Sequence, residues 1–295
     1  MKKLLPVFVV ACIVTFNVFA GNIFDYVPAG SSAVGRVDMA VLLNCPEVKK
    51  ALGDPESLAK QAEFAAKTGC NIRDISDVVI CVGQKSDAVM LVQLTKAIDV
   101  ASALEKYGSK AAVIPAGRFR VLKIDSKAAV CQLDSKTAAF GSSKDLVEFC
   151  KSVFGIPAEL KAQISAFKNN KNTLCWLAFS EPQSGMGCVL SLGFSGKDNR
   201  DYDFNAVFSF ADEQTAAQFA SVTPMYAGMF SGMIFSAKPE LGAEILKQLK
   251  ITPAGNTIRL NLAVSAELAD KIATYAKSSD VKKMLNNNAG KSAKK

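Results

Sequence analysis

From Ala33 onward, runs with the two-residue period of strands alternate with runs of helical period. A first strand is predicted near Ala33 to Leu43, followed after Pro46 by a helical stretch to about Lys67 that breaks at Gly53-Asp54-Pro55. Strands are predicted near Asp77 to Val82 and Ala88 to Leu94, with a helix from about Ile98 to Tyr107. Three short runs, Phe119 to Ile124, Ala128 to Leu133 and Thr137 to Gly141, are separated by Asp-Ser-Lys turns at 125–127 and 134–136 and read as an antiparallel meander. A helix over Lys144 to Phe154, with Ser143 as its N-cap, closes this stretch.

After Gly155-Ile156-Pro157 an amphipathic helix is predicted to about Lys168, and the polar break Asn169-Asn170-Lys171-Asn172 opens a second part. Strands are expected near Thr173 to Phe179, Gly187 to Phe194 and Tyr202 to Phe210. A long helical region follows from Asp212, divided by Pro224, and Pro239 at the N1 position starts another helix to Lys250. The run Thr257 to Val264 alternates Ile258, Leu260, Leu262 and Val264 with Arg259, Asn261 and Ala263, the pattern of a strand with one buried and one wet face. Ser265 then caps a final helix, Ala266 to Ala276.

The two parts read as diverged copies. In each, an apolar strand leads into a helix of pattern A-x-x-[LF], and a Pro-Ala-Gly turn (115–117 and 253–255) precedes a further strand. The predicted class is α+β, in two similar halves, 21–168 and 169–279, each an antiparallel sheet with helices packed on one face.

The first 20 residues have a different pattern. Lys2 and Lys3 precede a mostly apolar run from Leu4 to Phe19, and Val18 and Ala20 place small residues before a cut at Gly21, as in a secretory leader. The run is shorter than the ~20 apolar residues a spanning helix needs, so no transmembrane helix is expected once it is removed. Val9-Val10-Ala11-Cys12 loosely fits a lipoprotein box, which makes a lipid anchor on Cys12 the minor alternative to a periplasmic or secreted protein.

The formal charge is +8, but Lys2 and Lys3 lie in the leader and 277–295 holds six lysines against Asp280, which leaves the body close to neutral. A phosphate-backbone binder needs a basic stripe on a folded surface, so no nucleic acid is expected as a partner. The stretch 280–295 reads as a solvated basic tail.

Beyond the leader stand Cys45, Cys70, Cys81, Cys131, Cys150, Cys175 and Cys188. Most sit inside apolar strings, where cysteine behaves as a small core hydrophobe. One or two disulfides are the alternative, with Cys45 and Cys70 the expected partners because they lie outside those strings. No C-x-x-C spacing occurs, and there is no histidine, so neither a redox motif nor a zinc site is expected.

Asp201, Asp203 and Asn205, with Asp212 at position twelve, match part of a calcium loop, but Ala206 stands where its glycine belongs and lies in an apolar strand run. Asp201 and Asp203 are therefore read as a solvated strand edge. No G-x-S-x-G elbow occurs, and Gly290-Lys291-Ser292 has Leu285 where the first glycine of a phosphate loop belongs. No catalytic, cofactor-binding or metal-ligating residue is assigned, and no cofactor. Met225, Met229 and Met233, with Gly228 and Gly232 between them, read as core packing with close helix approach, or alternatively as a groove for an apolar ligand.

The opening Phe24-Asp25-Tyr26-Val27-Pro28-Ala29-Gly30-Ser31-Ser32-Ala33-Val34, with Val37-Asp38 and Leu42-Leu43, resembles a group of secreted bacterial α+β repeat proteins with a P-x-x-[ST]-x-x-V opening. The resemblance implies no activity and no site residue. The expected function is an exported, non-enzymatic cell-envelope protein that binds a partner or ligand through a sheet face or helix groove. The alternatives are a histidine-free hydrolase using Asp, Glu, Lys or Ser, and a thiol-dependent envelope protein.

Overall fold

The computed structural model describes residues 22–68, 71–83, 88–97, 99–106, 112–158, 160–161, 164, 173–181, 185–195 and 201–276. The expected leader, Cys12, Cys70 and the basic tail lie outside them. The chain divides into two compact units, Met1–Glu181 and Pro182–Lys295.

In the first unit, β1 (Ser31–Asp38) leads into the short helices α1 (Met39–Asn44), α2 (Pro46–Leu52) and α3 (Pro55–Thr68). The first strand ends earlier than its apolar pattern predicts because the Asp38 carboxylate accepts from the Val41 N–H at 3.1 Å and starts α1. Strands β2 (Ile75–Gly83) and β3 (Ala88–Leu94), helix α4 (Val100–Lys106), strands β4 (Ala112–Ala116), β5 (Phe119–Lys123), β6 (Ala129–Gln132) and β7 (Thr137–Gly141), helix α5 (Ser143–Lys151) and β8 (Thr173–Glu181) complete it. The strand order is β8-β1-β2-β3-β7-β6-β5-β4, antiparallel at every pairing. Strand β8, which the sequence pattern assigns to the second half, pairs with β1, Gly35 facing Leu177 and Arg36 facing Trp176.

This sheet is covered on both faces, not one. Val92, Leu94, Val130, Ala138 and Phe140 share a face and pack with Val100 of α4. Val121, Cys131, Ala139 and Leu91, which face one another across β5, β6, β7 and β3, lie on the opposite face, and there Cys131 meets Cys150 of α5. The interior strands are apolar at successive positions rather than at alternate ones, so each side needs a cover. Ser142, one residue earlier than expected, caps α5 by accepting from the Asp145 N–H at 3.1 Å. An aromatic group of Tyr26, Phe119, Phe149 and Phe154 fills one end, and Phe24 stacks on Trp176 with ring centroids 5.9 Å apart.

The second unit has β9 (Met186–Ser195), β10 (Asp201–Ser209), α6 (Glu213–Ile234), α7 (Pro239–Gln248), β11 (Leu249–Ala254), β12 (Thr257–Val264) and α8 (Ala266–Ala276), in the strand order β11-β12-β10-β9. Here one face is apolar. Phe208, Ile258 and Leu260 pack beneath α6, and Val264 packs with Leu241 of α7 and Leu268 of α8. The reverse face carries Asn205 and Asn261, whose side chains hydrogen-bond at 2.8 Å.

Two strands, β4 and β11, are absent from the predicted set because each contains proline. Both are edge strands, where proline is tolerated. Each turns back through a two-residue loop opening on a positive-φ glycine, Gly117 (φ 63°) and Gly255 (φ 58°).

Candidate functional site

The Asp212 carboxylate starts α6, accepting from the Thr215 N–H at 2.7 Å and its hydroxyl at 2.9 Å. These bonds hold the carboxyl below its ordinary range. The helix then runs unbroken to Ile234, through Pro224, which the sequence pattern reads as a division. The Thr223 hydroxyl donates to the Phe219 carbonyl at 2.7 Å and the Ser221 hydroxyl to the Gln218 carbonyl at 2.7 Å, side-chain bonds back to the main chain just before the proline.

From Val222 onward the burial of α6 is inverted. Its first turns press Ala216 and Phe219 onto the sheet, but beyond them the inward stripe is polar, with Thr223 (7% exposed) and Ser231 (9%), whereas Met225 (63%), Met229 (57%), Met233 (59%) and Phe230 (50%) project outward. Of the twelve large hydrophobic side chains exposed among the described residues, seven lie on this helix: Val222, Met225, Tyr226, Met229, Phe230, Met233 and Ile234. Their spacing forms one continuous stripe. No charged residue interrupts the chain between Glu213 and Lys238.

The core-packing expectation for Met225, Met229 and Met233 is therefore overturned. The adjoining glycines do not serve close approach either, since a Cβ added at Gly228 or Gly232 would meet nothing within 4 Å. Close approach occurs instead at Gly242 of α7, where a Cβ would lie 2.5 Å from the Ser231 Oγ. From Val222 onward small and polar residues face the neighbouring elements, and the large apolar groups of α6 are turned to the other side. An exposed stripe of this kind is the usual mark of an interaction surface, and methionine lets it adapt to its partner. No helix of the described residues is long and apolar enough to cross a membrane.

The remaining polar clusters are tied to the scaffold. Arg36 bonds Asp77 through Nε at 2.7 Å and Asp38 through Nη2 at 3.0 Å, all three side chains largely buried. A cleft of about 470 Å³ at α7 and α8 is lined by Lys238, Glu240, Leu241, Glu244, Glu267, Asp270, Lys271 and Thr274. Lys271 bridges Glu244 at 3.0 Å and Glu267 at 3.1 Å, which raises its own pKa. The carboxylates of the calcium-like pattern serve separate elements. Asp201 accepts from the Ala266 N–H at 2.9 Å at the start of α8, and Asp212 caps α6.

Cys45, Cys81, Cys131, Cys150 and Cys188 are buried. Burial pushes the Cys81 and Cys188 thiols up to about 12, which makes them poor nucleophiles. Cys131 and Cys150 are in contact, Sγ to Sγ 3.4 Å. The anticipated Cys45–Cys70 pair falls partly outside the described residues.

No known family matches the chain, and no curated protein is similar to it in sequence. Among solved structures it is similar to TP0453. Crystal form III has 10% identity and a TM-score of 0.47, covering 87% of this chain and 99% of that one. Crystal form IV has 11% identity and a TM-score of 0.47, with 88% and 98% covered, and crystal form I has 10% identity and a TM-score of 0.46, with 88% and 99% covered.

Proposed function

We propose that this is an exported, non-enzymatic protein of the cell envelope, a binding module that engages an apolar partner through the outer face of α6. The single observation that carries the reading is the inverted burial of that helix, Thr223 and Ser231 inward and Met225, Met229, Phe230 and Met233 outward. Each such side chain removed from water on docking contributes ~1.5–3 kcal/mol before the costs of association. Export is supported by the charged start, apolar run and small-residue cut site of residues 1–20. The units are read as diverged copies. In both, a hairpin (β2-β3, β9-β10) is followed by helix, a Pro-Ala-Gly edge hairpin and a closing helix, and the first unit carries the extra strands β1, β6, β7 and β8.

The test is a pull-down from an envelope extract and a native mass measurement, each made with the wild-type chain and with a Met225→Gln/Met229→Gln/Met233→Gln variant. A partner or second copy held by the wild type and lost from the variant supports the reading. Identical behaviour of the two proteins overturns it, as does turnover in an esterase, glycosidase and peptidase panel abolished by a single carboxylate substitution.

A further inference from the structure

Cys131 lies on β6, fully buried, and points at α5; Cys150 lies in the last turn of α5 and is 8% exposed. Their sulfurs are 3.4 Å apart, in van der Waals contact, across 19 positions of chain. The disulfide bond length is ~2.04 Å, so the sulfurs must approach by little more than an ångström, within reach of side-chain rotation and slight settling of α5. Other features of the site favour reaction over inert packing. The contact between the two thiols lowers the Cys150 pKa and raises that of Cys131, and Cys150 is the member of the pair nearer to solvent.

We propose that Cys131 and Cys150 form an intramolecular disulfide that clamps α5 to the β4–β7 meander. The oxidant is a small-molecule disulfide. The Cys150 thiolate attacks one of its sulfurs, a mixed disulfide forms, and one small thiolate leaves. Cys131 then loses its proton and attacks the Cys150 sulfur, expelling the second small thiolate. Two protein thiols are oxidised by two electrons, and one disulfide is reduced to two thiols. This cross-link does not depend on the α6 surface and stands or falls separately from it.

The experiment incubates the folded full chain in oxidised or reduced glutathione, then unfolds it, alkylates free thiols and digests with trypsin. Cleavage after lysine places Cys131 on 128–136 and Cys150 on 145–151. The expected result is one cross-linked species of these two peptides after oxidation, converted to two alkylated peptides after reduction, with a melting temperature roughly 5 °C higher in the oxidised form. Cys150→Ala should give the same melting temperature in both buffers. Alkylation of both cysteines after oxidation overturns the proposal, as does a glutathione adduct on Cys150 that never resolves, or pairing of either cysteine with another. The peptide map is read on the wild-type chain, so it holds even if a variant fails to fold.

Discussion

Ser231 on α6 and Gly242 on α7 interlock so closely that a methyl group on Gly242 would sit 2.5 Å from the serine hydroxyl oxygen and 3.3 Å from the Phe235 Cβ. Gly242→Ala is expected to lower stability by about 1 kcal/mol, overpacking outweighing the gain in helix propensity. In a Ser231→Ala background the clash with the hydroxyl is gone, and the same substitution should be neutral or stabilising. Urea unfolding of the four proteins of this cycle measures the coupling; additive effects would show that the helices do not meet at this point.

Arg36 should be costly to remove. Truncation to Ala leaves Asp38 and Asp77 facing each other, largely buried and without their shared cation, and is expected to destabilise by ~3 kcal/mol. Asp77→Asn retains a hydrogen-bond acceptor and should cost less, about 1 kcal/mol. Chemical denaturation at neutral pH distinguishes the two.

Tyr26 donates to Asp134 at 2.8 Å, and its pKa is raised, first by burial and then by that bond to a carboxylate. A raised acid pKa stabilises the folded state below the unfolded value near 10 and is lost as pH climbs through the folded value. Tyr26→Phe should therefore cost about 1 kcal/mol at pH 7, after allowance for partial exposure. The gap between variant and wild type should narrow as pH rises above 10, as followed by thermal melts.

Asp74 behaves in the opposite sense. Its carboxyl is held below the ordinary range, first by Lys96 at 2.7 Å and then by the Asn71 N–H at 2.9 Å. The stability it contributes is present above the unfolded pKa near 4 and disappears as pH falls through the folded value. Asp74→Asn is expected to cost about 1 kcal/mol at pH 7 and nothing at pH 2. An equal cost at both pH values would show that the charge is not what matters.

The two sides of α6 should respond differently to mutation. Met229→Lys on the outer side should leave stability within about 0.5 kcal/mol of wild type. Ala216→Leu on the inner side, where Ala216 is fully buried, should cost ~2 kcal/mol by overpacking. Circular dichroism melts of both variants check the orientation of the helix.

Much of the fold is legible in the sequence. The run Thr257 to Val264 and the helix Ala266–Ala276 occur as predicted, because their alternation and their capping serine are local signals. β4 and β11 are not legible, since a proline that argues against a central strand says nothing against an edge strand. The second cover on the first unit's sheet was signalled only by consecutive apolar residues such as Ala129-Val130-Cys131, which strand and helix interiors share. The α6 surface escapes sequence reasoning for another reason. Periodicity places Met225, Met229 and Met233 on one side of a helix, but which side meets water is decided by the shape of what lies beneath, here by Ser231 fitting against Gly242.

The two edge hairpins bear on how molecules of this protein meet. In a two-residue hairpin the pair flanking the loop exchanges main-chain bonds and the next pair points its amide groups outward. That next position is Pro115 in β4 and Pro253 in β11, each with no hydrogen to offer. A strand arriving from another molecule finds a gap in the ladder at each of these two edges, so edge-to-edge stacking into fibrils is discouraged there. The exposed side chains of α6, unlike a strand edge, form a patch of finite area that contact can saturate.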